Sequence, residues 1–158
     1  MAAINWPACY RPEATAVHVH NELAIDAPPE RVWAWLVRAS RWPEWYPNAR
    51  NVHIAGRARD LFPGAAFDWR TFGATVHSVV KEFEPPARIG WTGSGLGLDI
   101  YHGWIIAPRD GGCHVLTEEN QNGWAARLQA LLLPRRMWRW HQLWLERLAA
   151  QARLGPPP

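Results

Sequence analysis

Cysteine, lysine and long apolar runs are all scarce in this chain. Of 158 residues only Cys9 and Cys113 are cysteine, too few for a disulfide framework or a cysteine-rich zinc site. Thiols this sparse and unpaired fit a reducing compartment, and the cytoplasm is the simplest expectation. Lysine occurs once, as Lys81, against 16 arginines, a bias that a GC-rich genome produces by itself. No apolar run reaches the ~18 residues of a membrane-spanning helix. The first 15 residues lack a basic start followed by an apolar stretch, so no secretory leader is expected. Charged residues are 20% against 48% hydrophobic, which excludes a disordered chain. The length suits one domain around one core. No internal repeat, Gly-x-Ser-x-Gly elbow or Cys-x-x-Cys pair occurs, and no motif sets an assembly state.

Tryptophan, by contrast, is abundant. There are 12, and each carries a large apolar area with a single N–H donor. A small domain with so many must either overfill its core or line a cavity with aromatic walls. The net charge of +3 is also uneven: from Gln121 onward six arginines face only Glu146. Such a segment permits contact with a membrane surface or nucleic acid. Nucleic acid is not expected, because these arginines sit on one helical stretch without a known binding module.

Residues 1–14, with Pro7 and Pro12, have no periodicity and read as an arm. Thr15 to Ile25 alternates and reads as a half-buried strand. Asp26 or Ala27 is placed to cap a helix that starts at Pro28-Pro29 and shows Val32, Trp33, Leu36 and Val37 on one face. Trp42-Pro43-Glu44-Trp45 begins a second short helical turn, stopped by Pro47. The period then becomes two. Strands are expected near 50–55, 65–72, 74–84, 88–93, 98–107 and 113–121, separated by Pro-Gly, Pro-Pro, Gly-Ser-Gly and Asp-Gly-Gly turns. Trp124 to Arg153 reads as one amphipathic helix kinked at Pro134, and 154–158 as a tail. The expected architecture is α+β. A curved antiparallel sheet of six to seven strands, with two short helices after the first strand, wraps around a long C-terminal helix. A single domain over 15–153 follows, with a cavity where sheet and helix cannot meet.

This order, together with Ala27-Pro28-Pro29-Glu30-Arg31-Val32-Trp33, Arg41-Trp42-Pro43-Glu44-Trp45, Glu84-Pro85-Pro86, Trp91, Trp104 and Gly111-Gly112 before Val115-Leu116-Thr117-Glu118-Glu119, resembles the START-like superfamily, also called SRPBCC or helix-grip. It looks closest to the bacterial polyketide cyclase/dehydrase and lipid transport branch. The resemblance implies a hydrophobic small-molecule ligand, a polyketide or a lipid. It also implies that Trp42, Trp104 and Glu119 fall where aromatase/cyclases place cavity residues. Those enzymes use a cavity arginine from the strand that here spans 74–84, where this chain offers only Lys81.

Strand alternation assigns the faces. Leu98, Ile100, His102, Trp104 and Ile106 share the inward side of one strand; Cys113, Val115, Thr117 and Glu119 share that of the next, with Leu116 out of pattern. Phe67, Trp69 and Thr71 point in from 65–72. On 74–84 the sets Val76, Ser78, Val80 and His77, Val79, Phe83 compete. His102, Glu119 and, from the covering helix, His141 are therefore candidate acid–base residues, since a Glu beside a His can move a proton near neutral pH. Trp42, Trp69, Trp104 and Trp144 are candidate stacking walls, completed by Ile100 and Thr117. Two functions stay open. One is a polyketide cyclase- or dehydratase-like enzyme of secondary metabolism. The other is a non-catalytic carrier of a lipid or polyketide. An interaction protein is a third class and would need exposed tryptophans.

No cofactor is expected. His18 and His20 share a face, but it is polar and has only Glu22 nearby, so no metal site is expected there. Gly93-Ser94-Gly95-Leu96-Gly97 precedes a strand rather than a helix, so it reads as a hairpin loop and not a phosphate cradle. Residues 131–140 mix arginine with tryptophan, the composition of an interfacial helix, and weak membrane-surface contact is open to them.

Overall fold

In the computed structural model, which describes residues 3–158, seven antiparallel strands form one sheet in the order β1-β7-β6-β5-β4-β3-β2. They are β1 (Val17–Ile25), β2 (Arg50–Ile54), β3 (Ala66–Thr71), β4 (Ala74–Glu84), β5 (Arg88–Gly95), β6 (Leu98–Arg109) and β7 (Gly112–Asn122). Between β1 and β2 lie α1 (Pro29–Val37) and α2 (Trp42–Trp45), and after β7 come α3 (Trp124–Leu132) and α4 (Arg136–Leu154). This is the expected helix-grip architecture. None of the described helices is long and apolar enough to cross a membrane.

Four expectations need correction. The C-terminal helix does not bend at Pro134 but breaks: α3 ends at Leu132 and α4 begins at Arg136. Proline lacks the N–H that would continue the helix, and the preceding residue avoids the α region; Leu133 sits at φ −138°, ψ 59°. The cap of α1 is Pro28, without a side-chain bond, while the Asp26 carboxylate accepts a hydrogen bond from Arg109 Nη2 at 2.7 Å. β5 runs on to Gly95, leaving a turn at only Leu96 and Gly97. Residues 3–14 are not an extended arm: two 3-10 turns pack Ile4 and Tyr10 onto Tyr101 and Ile105, on the outer face of the sheet. A Cβ at Gly103 would stand 2.8 Å from Ile4 side-chain atoms, which explains the glycine there. Leu116, out of pattern in β7, joins the same outer cluster.

The ambiguous faces of β4 resolve through a bulge. Pairing with β5 shifts register between Val80 and Glu82, so Val76, Ser78 and Val80 face the core before the shift and Phe83 packs against it afterwards. Lys81, at the bulge, points to solvent. The main core lies between the inner face and α1, α2 and α4. Its centre is aromatic: Trp42 meets Phe67, Trp69, Trp91 and Trp144 with ring centroids 5.1–6.0 Å apart.

Candidate functional site

His102 and Glu119 are direct cross-strand partners on β6 and β7, both on the inner face by the alternation read above. α4 brings His141 down onto them. His102 Nδ1 lies 3.0 Å and His141 Nε2 3.3 Å from the same carboxylate oxygen, Glu119 Oε2. The other oxygen, Oε1, accepts a hydrogen bond from Gln121 Nε2 at 2.5 Å. The two imidazoles are stacked, 4.8 Å between centroids and 20° between planes. All three side chains are buried, His102 and His141 at 1% exposure and Glu119 at 6%.

Proton placement follows from the partners. His102 Nε2 is 2.8 Å from Thr117 Oγ1, while the alternative acceptor for the Thr117 hydroxyl, Gly103 O, is 3.4 Å away. A neutral ring that carries its proton on Nδ1, towards Glu119, accepts the Thr117 hydroxyl at Nε2. Burial lowers the His102 pKa, partly opposed by Glu119. Burial alone would raise Glu119, but the attraction and close polar contact of His102, then of His141, outweigh it and hold the carboxyl well below the usual range. The group is thus a carboxylate ringed by N–H donors. The His102 contact is not aligned as a hydrogen bond, and His141 Nδ1 is buried with no hydrogen-bond partner. Of the described residues, these three also form the group whose donor atoms, all within 4.8 Å of one another, could hold a metal ion.

A small pocket opens beside this cluster, a cavity of about 30 Å³ with room for little more than a water, leading out to solvent. Glu119, Gln121 and His141 are among its polar lining, and Trp69, Ile100, Trp144, Trp91, Tyr46 and Phe72 are among its apolar lining. Three of the six expected ligand contacts, Trp69, Ile100 and Trp144, are therefore on the wall. The other three are not. Trp42 is fully buried and donates Nε1–H to Leu36 O at 2.9 Å. Trp104 stacks on the far side of His102, with centroids 5.3 Å apart. Thr117 is taken by His102. Crowded tryptophans fill the deep end of the space that the alternation assigned to ligand, and His102 itself lies beneath the wall.

Gln121, Tyr46 and Phe72 are among the wall residues that escaped the sequence reading. Gln121 continues the i, i+2 series from Glu119 and closes the expected strand 113–121, so the signal was present one step beyond the inward set. Tyr46 stacks on Trp144 at 4.5 Å and 13°, and burial pushes its phenol pKa up. Its position next to Pro47 marks only a helix end in sequence. Phe72 sits in the β3–β4 turn, where an aromatic has no periodic signal.

Comparison with known proteins adds one family and three solved structures. Residues 16–153 match the family described as polyketide cyclase/dehydrase and lipid transport. Among solved structures, hypothetical protein jhp0584 from Helicobacter pylori is 33% identical with a TM-score of 0.89, covering 96% of this chain and 97% of that one. The di-domain ARO/CYC StfQ from the steffimycin biosynthetic pathway is 19% identical with a TM-score of 0.71, covering 87% of this chain and 51% of that one. Truncated norcoclaurine synthase from Thalictrum flavum is 13% identical with a TM-score of 0.64, covering 84% and 91%. The last two are likenesses of fold alone. No curated protein sequence matches.

Proposed function

The chain belongs to the polyketide cyclase/dehydrase and lipid transport family, and from that premise we propose that it binds a hydrophobic, carbonyl-bearing molecule between sheet and α4 and moves a proton on it. The observation that carries this reading is His141. It lines the pocket, turns Nε2 to Glu119 and leaves Nδ1 without a partner. A ring whose Nε2–H is held by a carboxylate offers its lone pair at Nδ1, the arrangement of a general base. Glu119, with its depressed pKa, is the weaker base; its part is to orient His141 and to stabilise the imidazolium as it forms. Gln121 and His102 hold Glu119, and Thr117 holds His102.

The step expected at this site is redox-neutral. Nδ1 takes a proton from a methylene flanked by carbonyls, and the C–H electron pair passes into an enolate. The enolate carbon bonds to a second carbonyl carbon of the same molecule. The imidazolium then returns its proton to the new alkoxide. Loss of a further C–H proton and of hydroxide releases water and leaves a double bond. Trp69, Ile100 and Trp144 would part to admit the flat apolar body and then hold it, since the cavity between them is only about 30 Å³. Native mass spectrometry of freshly purified protein, with organic extraction of what accompanies it, tests the reading. An oxygenated polycycle or polyketone supports it. A ligand-free mass, together with no turnover across a panel of polyketones, contradicts it.

Non-catalytic carriage of a lipid or polyketide is the second reading. It is favoured by the apolar residues that α3 exposes next to the pocket: Trp124, Leu128, Leu131 and Leu132, beside Arg127, Arg135 and Arg136. That patch is also where the 131–140 segment would meet a membrane surface. A phospholipid or fatty acid in the extract, retained unchanged by His141→Gln, decides for the carrier.

A further inference from the structure

Next to the pocket lies a second, wider groove that the proton chemistry does not use. It has a volume of about 570 Å³, open to solvent, and its polar lining includes Asn48, Arg50, Arg70 and Arg136 but no carboxylate. Arg50 and Arg70 are direct cross-strand partners on β2 and β3. Like charges in that register repel. Arg136 joins them from the first turn of α4, where a cation also opposes the helix dipole. Among the described residues Arg38, Arg41, Arg88 and Arg109 each pair with a carboxylate, but these three arginines do not. Three unneutralised cations, brought together from separate elements, form a locus for an anion.

Phe72 connects the groove to the pocket, since its ring is a wall of both. It occupies the first position of the two-residue β3–β4 turn at φ 51°, followed by Gly73 at φ 85°. Such turns favour asparagine or glycine at that position, and a bulky residue at positive φ is strained. Asn48 Oδ1 holds the strained turn by accepting the Phe72 N–H at 2.9 Å, and Arg136 stands over the ring at 5.1 Å. Arg70 Nε and Nη2 donate to Gly73 O at 3.3 and 3.1 Å, fixing one guanidinium beside the turn. The strain thus keeps an aromatic ring at the junction between a basic groove and an apolar pocket.

We propose that the ligand is an anionic amphiphile: its carboxylate or phosphate sits on Arg50, Arg70 and Arg136, and its apolar body passes beside Phe72 into the pocket. This rests on the reading that the pocket binds a hydrophobic molecule, and it adds the chemistry of the ligand's other end. The test uses two probes of one shape, 4-(1-naphthyl)butanoate and 4-(1-naphthyl)butanol, with binding read by quenching of tryptophan emission. The wild type should bind the carboxylate about tenfold or more tightly than the alcohol, the scale of one to two charge-assisted hydrogen bonds. The triple variant Arg50→Gln, Arg70→Gln, Arg136→Gln should lose that preference and keep its affinity for the alcohol. These side chains are exposed or half-buried, so the variant should melt within a few degrees of wild type.

Equal binding of both probes by the wild type, or a preference that survives the triple variant, overturns the proposal and leaves the pocket reading standing. Failure of both probes to bind overturns the two together. Vesicles of phosphatidylglycerol separate the remaining source of negative charge. If the three arginines govern sedimentation with vesicles but not the preference for the soluble carboxylate, the groove faces a membrane surface and the proposal falls.

Discussion

Glu119→Gln changes one atom and should change the pH dependence of stability. Gln121 Nε2 donates to one oxygen of the wild-type carboxylate, and the His102 and His141 rings lie 3.0 and 3.3 Å from the other. An amide keeps the shape but offers one acceptor oxygen, so at least one buried donor loses its partner, at a cost of ~1–3 kcal/mol at neutral pH. The folded pKa of Glu119 is depressed below its ordinary 4.5. Its stabilisation is therefore complete above pH 4.5 and is lost as pH falls below that value, at up to ~1.4 kcal/mol per pH unit. His102, with its folded pKa lowered from 6.5, adds an acid-side loss that begins near pH 6.5 in both proteins. Tyr46 also faces the carboxylate but stays protonated throughout. Urea unfolding followed by tryptophan emission between pH 7 and 3.5 should thus show a gap between wild type and variant that holds or widens down to about pH 4.5, because His102 in the variant lacks the carboxylate that opposes its lowering, and then narrows. Parallel stability curves down to pH 3.5 would refute the claim that Glu119 is held as a carboxylate.

Three further outcomes are expected. Trp42→Ala removes a side chain with 0% exposure and its hydrogen bond to Leu36 O, and should cost ~3–5 kcal/mol in urea unfolding; a loss under ~1 kcal/mol would contradict its central place in the core. Gly97→Ala should destabilise by more than a surface change, because a Cβ there would meet the Trp124 ring at 2.1 Å and the residue sits at φ 71°; an unchanged thermal midpoint would show that α3 is not held by that contact. If His102, Glu119 and His141 share protons rather than a metal ion, exhaustive dialysis against EDTA leaves the thermal midpoint unchanged; a fall of several degrees restored by zinc would reassign the cluster.

Much of this was legible because strand alternation is a strict geometric rule. Period two placed His102 and Glu119 on one face, and the short turn between their strands made them neighbours; both follow from the register of β6 and β7. What alternation cannot show is depth. Trp104 faces inward as alternation has it, and Trp42 points into the core from α2, yet both lie behind other rings, because many tryptophans in a small domain fill volume as readily as they enclose it. The bulge near Lys81 hid the facing of β4, since one extra residue reverses the parity that the pattern depends on. The Pro134 break was misread as a bend because apolar spacing continues on both sides of it. Phe72 and the Arg50–Arg70 pair depend on turn geometry and on strand pairing, and neither leaves a local mark in the sequence.

The central claim is that His141, held by Glu119, removes a carbon-bound proton from a pocket ligand. Deuterium uptake into a panel of aromatic 1,3-diketones in heavy water, followed by mass spectrometry, tests it without the natural substrate. The wild type should accelerate exchange for at least one bound diketone, and His141→Gln should lower that rate ~10²-fold or more while quenching of tryptophan emission shows the compound still bound. Exchange at the same rate in both proteins, with binding intact, would contradict it.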